Sequence, residues 1–400
     1  MIATASLPTP MSQSRMTGVV SMPGLLGCYF AFRVCITFLF FQSDPPTGAV
    51  VNVALNLLLL LPAAVYAFGP ARLKLRDALK LHPIQLVLTF LGLTLASITW
   101  SETSSKAVAL GYWIAMAADV ALVLLVVRTE GPRQASESLL KGYVFGVGLL
   151  CLVAWAAPAM KDLRLGDDEF LTPNAIGFQC AFGALLCQYL APQGARWKWL
   201  GAALAITLVR SLSKTSLAAF LIVEAFYLLR TKAIPRASKV LLTFGALAVT
   251  AAFSSLIASY YEIYINTGNS AETLTGRTSI WIVTLGYAWQ KPWFGYGFHS
   301  FRTVIPPFGP FQPWHAHNEL LQQFFAYGIV GVILVAGLYF SFFRLCRRVR
   351  QHPLALTGIA LLMLALIRGL ADTERFDITF PLWAITAISL AIATDRRNIA

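Results

Sequence analysis

Twelve apolar stretches leave this chain few ways to fold. They run over residues 24–41, 48–69, 84–100, 107–127, 142–160, 174–192, 199–209, 216–229, 240–260, 324–343, 354–372 and 379–394. A membrane-spanning helix needs roughly 20 mainly apolar residues. Only helices and closed barrels satisfy their own backbone polar groups in lipid. Runs of this length therefore predict helices. The seventh and eighth are short, and half-buried helices around a turn at 210–215 are an alternative there. The chain of 400 residues is 57% hydrophobic and 12% charged, against about 25% charged in a soluble domain. The expected fold is an all-α polytopic membrane protein with about twelve transmembrane helices.

Lysine and arginine set the orientation, because inner loops carry the excess. With the first 23 residues inside and the stretches alternating, the inner segments hold 20 Lys and Arg and the outer loops 9. Every inner segment is basic, so the net charge of +13 follows from topology and calls for no nucleic acid. The six cysteines fall in spans or at an inner end, which predicts neither a disulfide nor a zinc site. The expected domains are an inner disordered tail at 1–23, one transmembrane domain at 24–394 and an inner tail at 395–400.

One outer loop is long, residues 261–323. Such a loop is functional or disordered, and this one is rich in aromatics, including Trp281, Trp289, Trp293 and Trp314. It should fold against the membrane interface, where aromatics collect. Residues 278–290 are too short to span and read as an interfacial helix, ended by Lys291-Pro292. Trp293-Phe294-Gly295-Tyr296-Gly297 reads as a tight turn, prolines keep 306–313 extended, and His317 falls near the start of the tenth span.

The candidate chemistry sits mostly in and beside this loop. Arg277 opens the interfacial helix, whose free N–H groups and partial positive charge favour phosphate; a snorkelling arginine is the plainer reading. Arg210, Ser213 and Lys214 lie between the seventh and eighth spans, facing outward against the general trend, and form a second candidate anion site. His315-Ala316-His317-Asn318-Glu319 gathers two imidazoles, an amide and a carboxylate. A histidine near its ordinary pKa suits general-base work near neutrality, while three ligands so close make an awkward metal site. Four charges fall inside spans: Arg33, Asp119, Glu224 and Arg368. Arg33 with Asp119, or Arg368 with Glu224, are candidate pairs across helices. The group at Asp372, Glu374, Arg375 and Asp377 can orient a sugar, pair with Arg277 or form a plain polar loop.

An ordered set of short motifs runs through the chain: Trp100-Ser101, Pro173-Asn174-x-x-Gly177, Ser211-x-Ser213-Lys214-Thr215, Gly276-Arg277-x-x-x-Trp281, Pro292-Trp293-x-Gly295-x-Gly297, His315-x-His317-Asn318-x-Leu320 and Tyr327-Gly328-x-x-Gly331. In this order, with a large penultimate outer loop, they resemble the O-antigen ligase and Wzy-type polysaccharide polymerase superfamily. Ser213-Lys214-Thr215-Ser216 looks most like its exopolysaccharide polymerase branch, since ligases more often have arginine at the lysine position.

The resemblance implies a GT-C-like glycosyltransferase in the bacterial inner membrane, with cytoplasmic termini and a periplasmic active site. The donor it implies is a glycan on undecaprenyl pyrophosphate, used without metal or other cofactor and with inversion at the anomeric carbon. His317 would be the base, with Arg277 and Lys214 clamping the pyrophosphate. Arg210, Ser213, Asn174, Trp281, Trp314, His315, Asn318, Glu319 and Glu374 would bind substrate. Membrane lipid, a chain-length regulator and a flippase are the implied partners. The expected activity is polymerisation of lipid-linked repeat units; transfer of the glycan to a lipid A core, or transport of lipid-linked oligosaccharide, are the alternatives.

Overall fold

The structure is a computed structural model and describes residues 21–41, 44–69, 73–158, 160, 164–167, 170–230, 235–237, 239–240, 244, 274–309, 311–373 and 377–397. The described residues form α-helices, a 3-10 turn at Ala191–Gln193 and one isolated bridge between Phe308 and Phe311. In chain order the helices are α1 (Met22–Phe40), α2 (Pro45–Ala67), α3 (Leu75–Ala78), α4 (His82–Ser97), α5 (Lys106–Glu130), α6 (Pro132–Ala156), α7 (Pro173–Leu190), α8 (Ala195–Arg210), α9 (Lys214–Arg230), α10 (Leu274–Ala288), α11 (Phe301–Val304), α12 (Glu319–Arg348), α13 (Pro353–Gly369) and α14 (Leu382–Arg397). Eleven of the twelve expected spans coincide with one of these. The ninth, 240–260, lies almost wholly outside the described residues, as do the N-terminal tail, residues 398–400 and the first part of the long loop.

Among the described residues six helices are long and apolar enough to cross a membrane: α1, α2, α5, α6, α7 and α12; α4, α13 and most of α14 are apolar but shorter. The chain is a polytopic helical membrane protein. Helices α8 and α9 fall in neither group, in keeping with the weakness of the seventh and eighth runs.

Close helix crossings position the bundle. A Cβ at Gly142 of α6 would collide with the Gly24 carbonyl of α1, and one at Gly27 with that of Leu139. Lipid gives no hydrophobic drive for helix association, so such small residues, which let backbones touch, set the crossing. Inside the same region Arg33 of α1 forms a bidentate pair with Asp119 of α5, at 2.7 and 2.8 Å. Asn56 of α2 reaches the same carboxylate at 3.5 Å, and Tyr29 donates to Asn56 at 2.5 Å. The first candidate pairing of intramembrane charges is thus the observed one. The second is not: Glu224 accepts from Gln188, and Arg368 pairs with Asp372, one helical turn further along its own chain.

The long loop is tied to α12 by a break in that helix. Gly328 has φ 63° and ψ −158°, which only glycine adopts without strain. The interruption opens backbone groups that Pro292–Gly297 fills. Tyr296 and Gly297 donate to the Phe325 and Ala326 carbonyls at 2.9 and 2.8 Å, and Ile329 donates to the Pro292 carbonyl at 2.8 Å. The expected tight turn is therefore a plug for a broken helix. Its other side joins the end of α4: Ser97 Oγ accepts from the Phe298 N–H at 3.0 Å, and Ser101 Oγ donates to the Phe298 carbonyl at 2.7 Å.

Candidate active site

His317 lies just before α12, and Asn318 caps that helix by accepting from the Leu321 N–H at 2.9 Å. The Asn318 amide also donates to the Leu370 carbonyl at 2.9 Å. This joins the histidine segment to the turn that follows α13. Across that junction His317 Nδ1 meets Asp372 Oδ1 at 3.1 Å. The other Asp372 oxygen accepts from Arg368 at 3.1 Å. Both Asp372 and Arg368 are buried.

Burial opposes ionisation of Asp372, but the Arg368 charge and the His317 hydrogen bond outweigh it and hold the carboxyl well below its usual range. An ionised Asp372 accepts only, so His317 carries its proton on Nδ1 and leaves the Nε2 lone pair for chemistry. His315 differs. Burial, then the neighbouring His317, push its pKa well below the ordinary value, so it is neutral near pH 7. Its Nδ1 accepts from the His317 N–H at 3.3 Å, which places its own proton on Nε2.

A polar chain runs on from Arg368. Its Nε contacts Ser216 Oγ at 3.3 Å. Ser213 Oγ lies 2.9 Å from Ser216 Oγ and donates to Asn174 Oδ1 at 3.0 Å. Asn174 is in the first turn of α7, capped by Thr172. Gly177 leaves room for the Ser213 turn, because a Cβ there would stand 2.5 Å from that of Ser213. Three separate motifs thus meet in one network: Asn174, Ser213–Ser216 and His317. Lys214 and Arg210 flank the Ser213 turn, both half-buried.

Arg277 approaches from α10. It is 5% exposed, donates Nη1 to the Ala371 carbonyl, and keeps its buried Nε without a partner among the described residues. Among the described residues of the Asp372 group, it pairs with neither Asp372 nor Asp377, which are engaged elsewhere. One turn on, Trp281 donates to the Ala316 carbonyl at 2.9 Å. An apolar cavity of about 480 Å³ opens between α10 and α12, lined by Trp281, Ile282, Leu285, Leu321 and Phe324 and by Asn318. A larger cavity of about 1810 Å³ lies among α7, α9, α12 and α13 and holds none of these site residues.

Other candidates sit differently. Trp314 is 40% exposed, with the Arg302 guanidinium 3.7 Å from its ring centroid. Glu319 turns inward and accepts from Tyr339 at 2.5 Å and from the Thr379 N–H at 3.0 Å. Glu374 is outside the described residues. Arg368 and Asp372, read from the sequence as an intramembrane charge and a possible sugar-orienting group, join the network together with Ser216. The signal for the first two was present: Arg368 and Asp372 stand at i and i+4 across the end of an apolar run, the spacing at which helical side chains meet.

His315, His317 and Asp372 each offer a ligand atom, all within 4.8 Å of one another, so the cluster has the donors for a metal ion. Asp372, however, already bonds His317 and Arg368, and a cation bound there would face the Arg368 charge.

Residues 199–336 match the family model described as O-Antigen ligase. This match over about a third of the chain supports the O-antigen ligase and Wzy superfamily. No curated protein matches the chain. The matched stretch contains Ser213, Lys214, Arg277 and His317, while Asp372 and Arg368 lie beyond it. The match supports a ligase- or polymerase-type membrane enzyme.

Proposed function

We propose that this protein is an inverting, metal-independent glycosyltransferase of the O-antigen ligase superfamily. It polymerises undecaprenyl-pyrophosphate-linked repeat units at the periplasmic face of the inner membrane. The observation that carries the reading is the Asp372–His317 pair beside the buried Arg277, whose Nε faces no protein acceptor among the described residues.

In this mechanism the acceptor hydroxyl gives its proton to His317 Nε2 as its oxygen attacks the anomeric carbon. Asp372 holds the imidazole in the required tautomer and stabilises the imidazolium, as a carboxylate does in hydrolytic triads. The bond from the anomeric carbon to the pyrophosphate oxygen breaks, and its electron pair leaves with the pyrophosphate. Arg277 and Lys214 compensate the charge gathered there. Neutral His315 donates a hydrogen bond to substrate without adding a second charge to the base. The polyprenyl tail lies in the apolar groove between α10 and α12, which Asn318 also lines. Trp314 offers an exposed ring face to a sugar. Trp281, Asn318 and Glu319 use their described hydrogen bonds within the protein, so their part in substrate binding is to hold the histidine segment.

The description of the matching family favours a second reading, transfer of the glycan to a lipid A core. Purified protein, incubated with one lipid-linked repeat unit and excess EDTA, separates the two. A ladder of lengthening glycans is the expected product. Transfer only after lipid A core is added makes the protein a ligase. Folded protein giving neither product overturns both readings in favour of transport, and loss of product on EDTA addition alone overturns metal independence. His317→Ala is expected to lower the rate on the order of 10²–10⁴-fold, the usual contribution of a general base. Arg277→Lys should cost on the order of 10²-fold, because an ammonium lacks the planar fork.

A further inference from the structure

The histidine segment is held at its middle residue. Ala316 is fully buried. Its carbonyl accepts from Trp281 Nε1 at 2.9 Å, and its N–H donates to Gln322 Oε1 at 2.8 Å. Both anchors lie between the two imidazoles. His317 itself has φ 51°, a left-handed backbone that is uncommon away from glycine and persists only where surrounding contacts enforce it.

The Gln322 amide is in turn oriented from behind. Its Nε2 donates to Asp377 Oδ1 at 2.7 Å, and Tyr327 Oη donates to Asp377 Oδ2 at 2.8 Å. Gln322, Tyr327 and Asp377 are all buried. A primary amide presents a donor or an acceptor according to a half-turn about its last bond. A carboxylate only accepts, so Asp377 draws Nε2 to itself and leaves Oε1 facing Ala316. Were the amide reversed, two donors would meet at the Ala316 N–H.

We propose that Gln322 and Asp377 are positioning residues for the glycosyl transfer: Asp377 fixes the sense of the Gln322 amide, and Gln322 fixes Ala316 and with it His315 and His317. This rests on His317 being the base of the proposed reaction. Neither residue touches the reacting atoms; both act on the left-handed turn that presents the imidazole. The histidines belong to the motif, whereas their support comes from α12 and from the segment between α13 and α14.

The test exchanges the two polar partners. Gln322→Glu sets a second carboxylate against Asp377 and should lower kcat by about tenfold to a hundredfold, the scale of a small misplacement of a reacting group. KM should move little. Adding Asp377→Asn restores complementarity: the new amide donates toward position 322 and keeps its oxygen for Tyr327, while the carboxylate at 322 still accepts from Ala316. The Gln322→Glu/Asp377→Asn pair should recover to within about threefold of the wild type, a non-additivity expected of direct partners. A second readout does not need turnover: the rate at which diethyl pyrocarbonate modifies His317, followed by peptide mass spectrometry at pH 8 on monodisperse protein. It should shift in Gln322→Glu and return in the pair.

Gln322→Glu with unchanged kcat and unchanged His317 reactivity overturns the inference, as does a folded exchange pair no better than the single variant. If the wild type makes no glycan product with either acceptor, the proposed function fails. The modification rates still decide whether Gln322 and Asp377 set the histidine.

Discussion

Buried charges carry most of what is specific in this protein, and their behaviour follows from their partners. Arg33 and Asp119 face each other in a bidentate pair with side chains 18% and 7% exposed. Removing one partner of such a pair leaves an uncompensated charge and costs about 3–5 kcal/mol, whereas replacing both by apolar groups is often neutral. Asp119→Leu should therefore unfold at markedly lower denaturant concentration, and Arg33→Met/Asp119→Leu should recover most of the loss. Equal stability in all three proteins would remove the pair from the fold's support. Asp377 gives a second case. Burial pushes its carboxyl from the ordinary 3.8 up to about 6. Between those values the folded chain holds a proton that the unfolded chain has released, so stability falls as pH rises across that window and is flat above it. The span corresponds to about 3 kcal/mol. Unfolding followed from pH 4 to pH 7 should show this slope in the wild type and lose it in Asp377→Asn; parallel profiles would exclude it. His317 and Arg277 were legible as candidates because imidazole pairs and an arginine at a helix start are local signals. Asp372 was legible as a possible sugar-orienting group but not as the partner of His317, since only the folded chain brings residues 317 and 372 together.

At the scale of elements, periodicity and run length told nearly everything about where helices lie, and little about how they meet. The apolar run at 84–100 gives α4, and the proline at position 173 sits at the start of α7, because propensity and capping act over a few residues. The join between Pro292–Gly297 and the break at Gly328 could not be read, because a backbone hydrogen bond between distant segments leaves no trace in side-chain pattern. Glycines show the same division. Gly142 and Gly337 look alike in sequence, both inside apolar helices. A Cβ at Gly142 meets the Gly24 carbonyl, while one at Gly337 meets nothing within 4 Å. Gly337→Ala should be neutral or raise stability by up to about 1 kcal/mol, through lower backbone entropy in the unfolded chain. Gly142→Ala should destabilise clearly, by forcing α1 and α6 apart. Detergent-solubilised melting curves compare the two directly. Gly142→Ala melting with the wild type would show that the α1–α6 crossing has slack.

For the whole molecule, the distribution of charge is the link between fold and reaction. A donor already delivered to the outer face can be used only if the histidine segment opens there, so orientation is a condition of the proposed chemistry. Helix α12 makes that orientation measurable. Beyond its break at Gly328 it continues over residues 329–348, about 30 Å at the usual rise, enough to cross a hydrocarbon core of about 30 Å. Trp314 lies just before its start, and Arg350 just after its end, beyond Arg344, Arg347 and Arg348. The excess of basic residues on the second side predicts that it faces the cytoplasm. The six native cysteines are buried or half-buried, which favours a low labelling background. In intact spheroplasts, Trp314→Cys should react with a membrane-impermeant maleimide, and Arg350→Cys should react only after permeabilisation. The reverse pattern would place His317 and Arg277 on the cytoplasmic side, where a flipped lipid-linked donor cannot reach them. It would overturn the proposed reaction while leaving the Asp372–His317 pair intact as a structural feature.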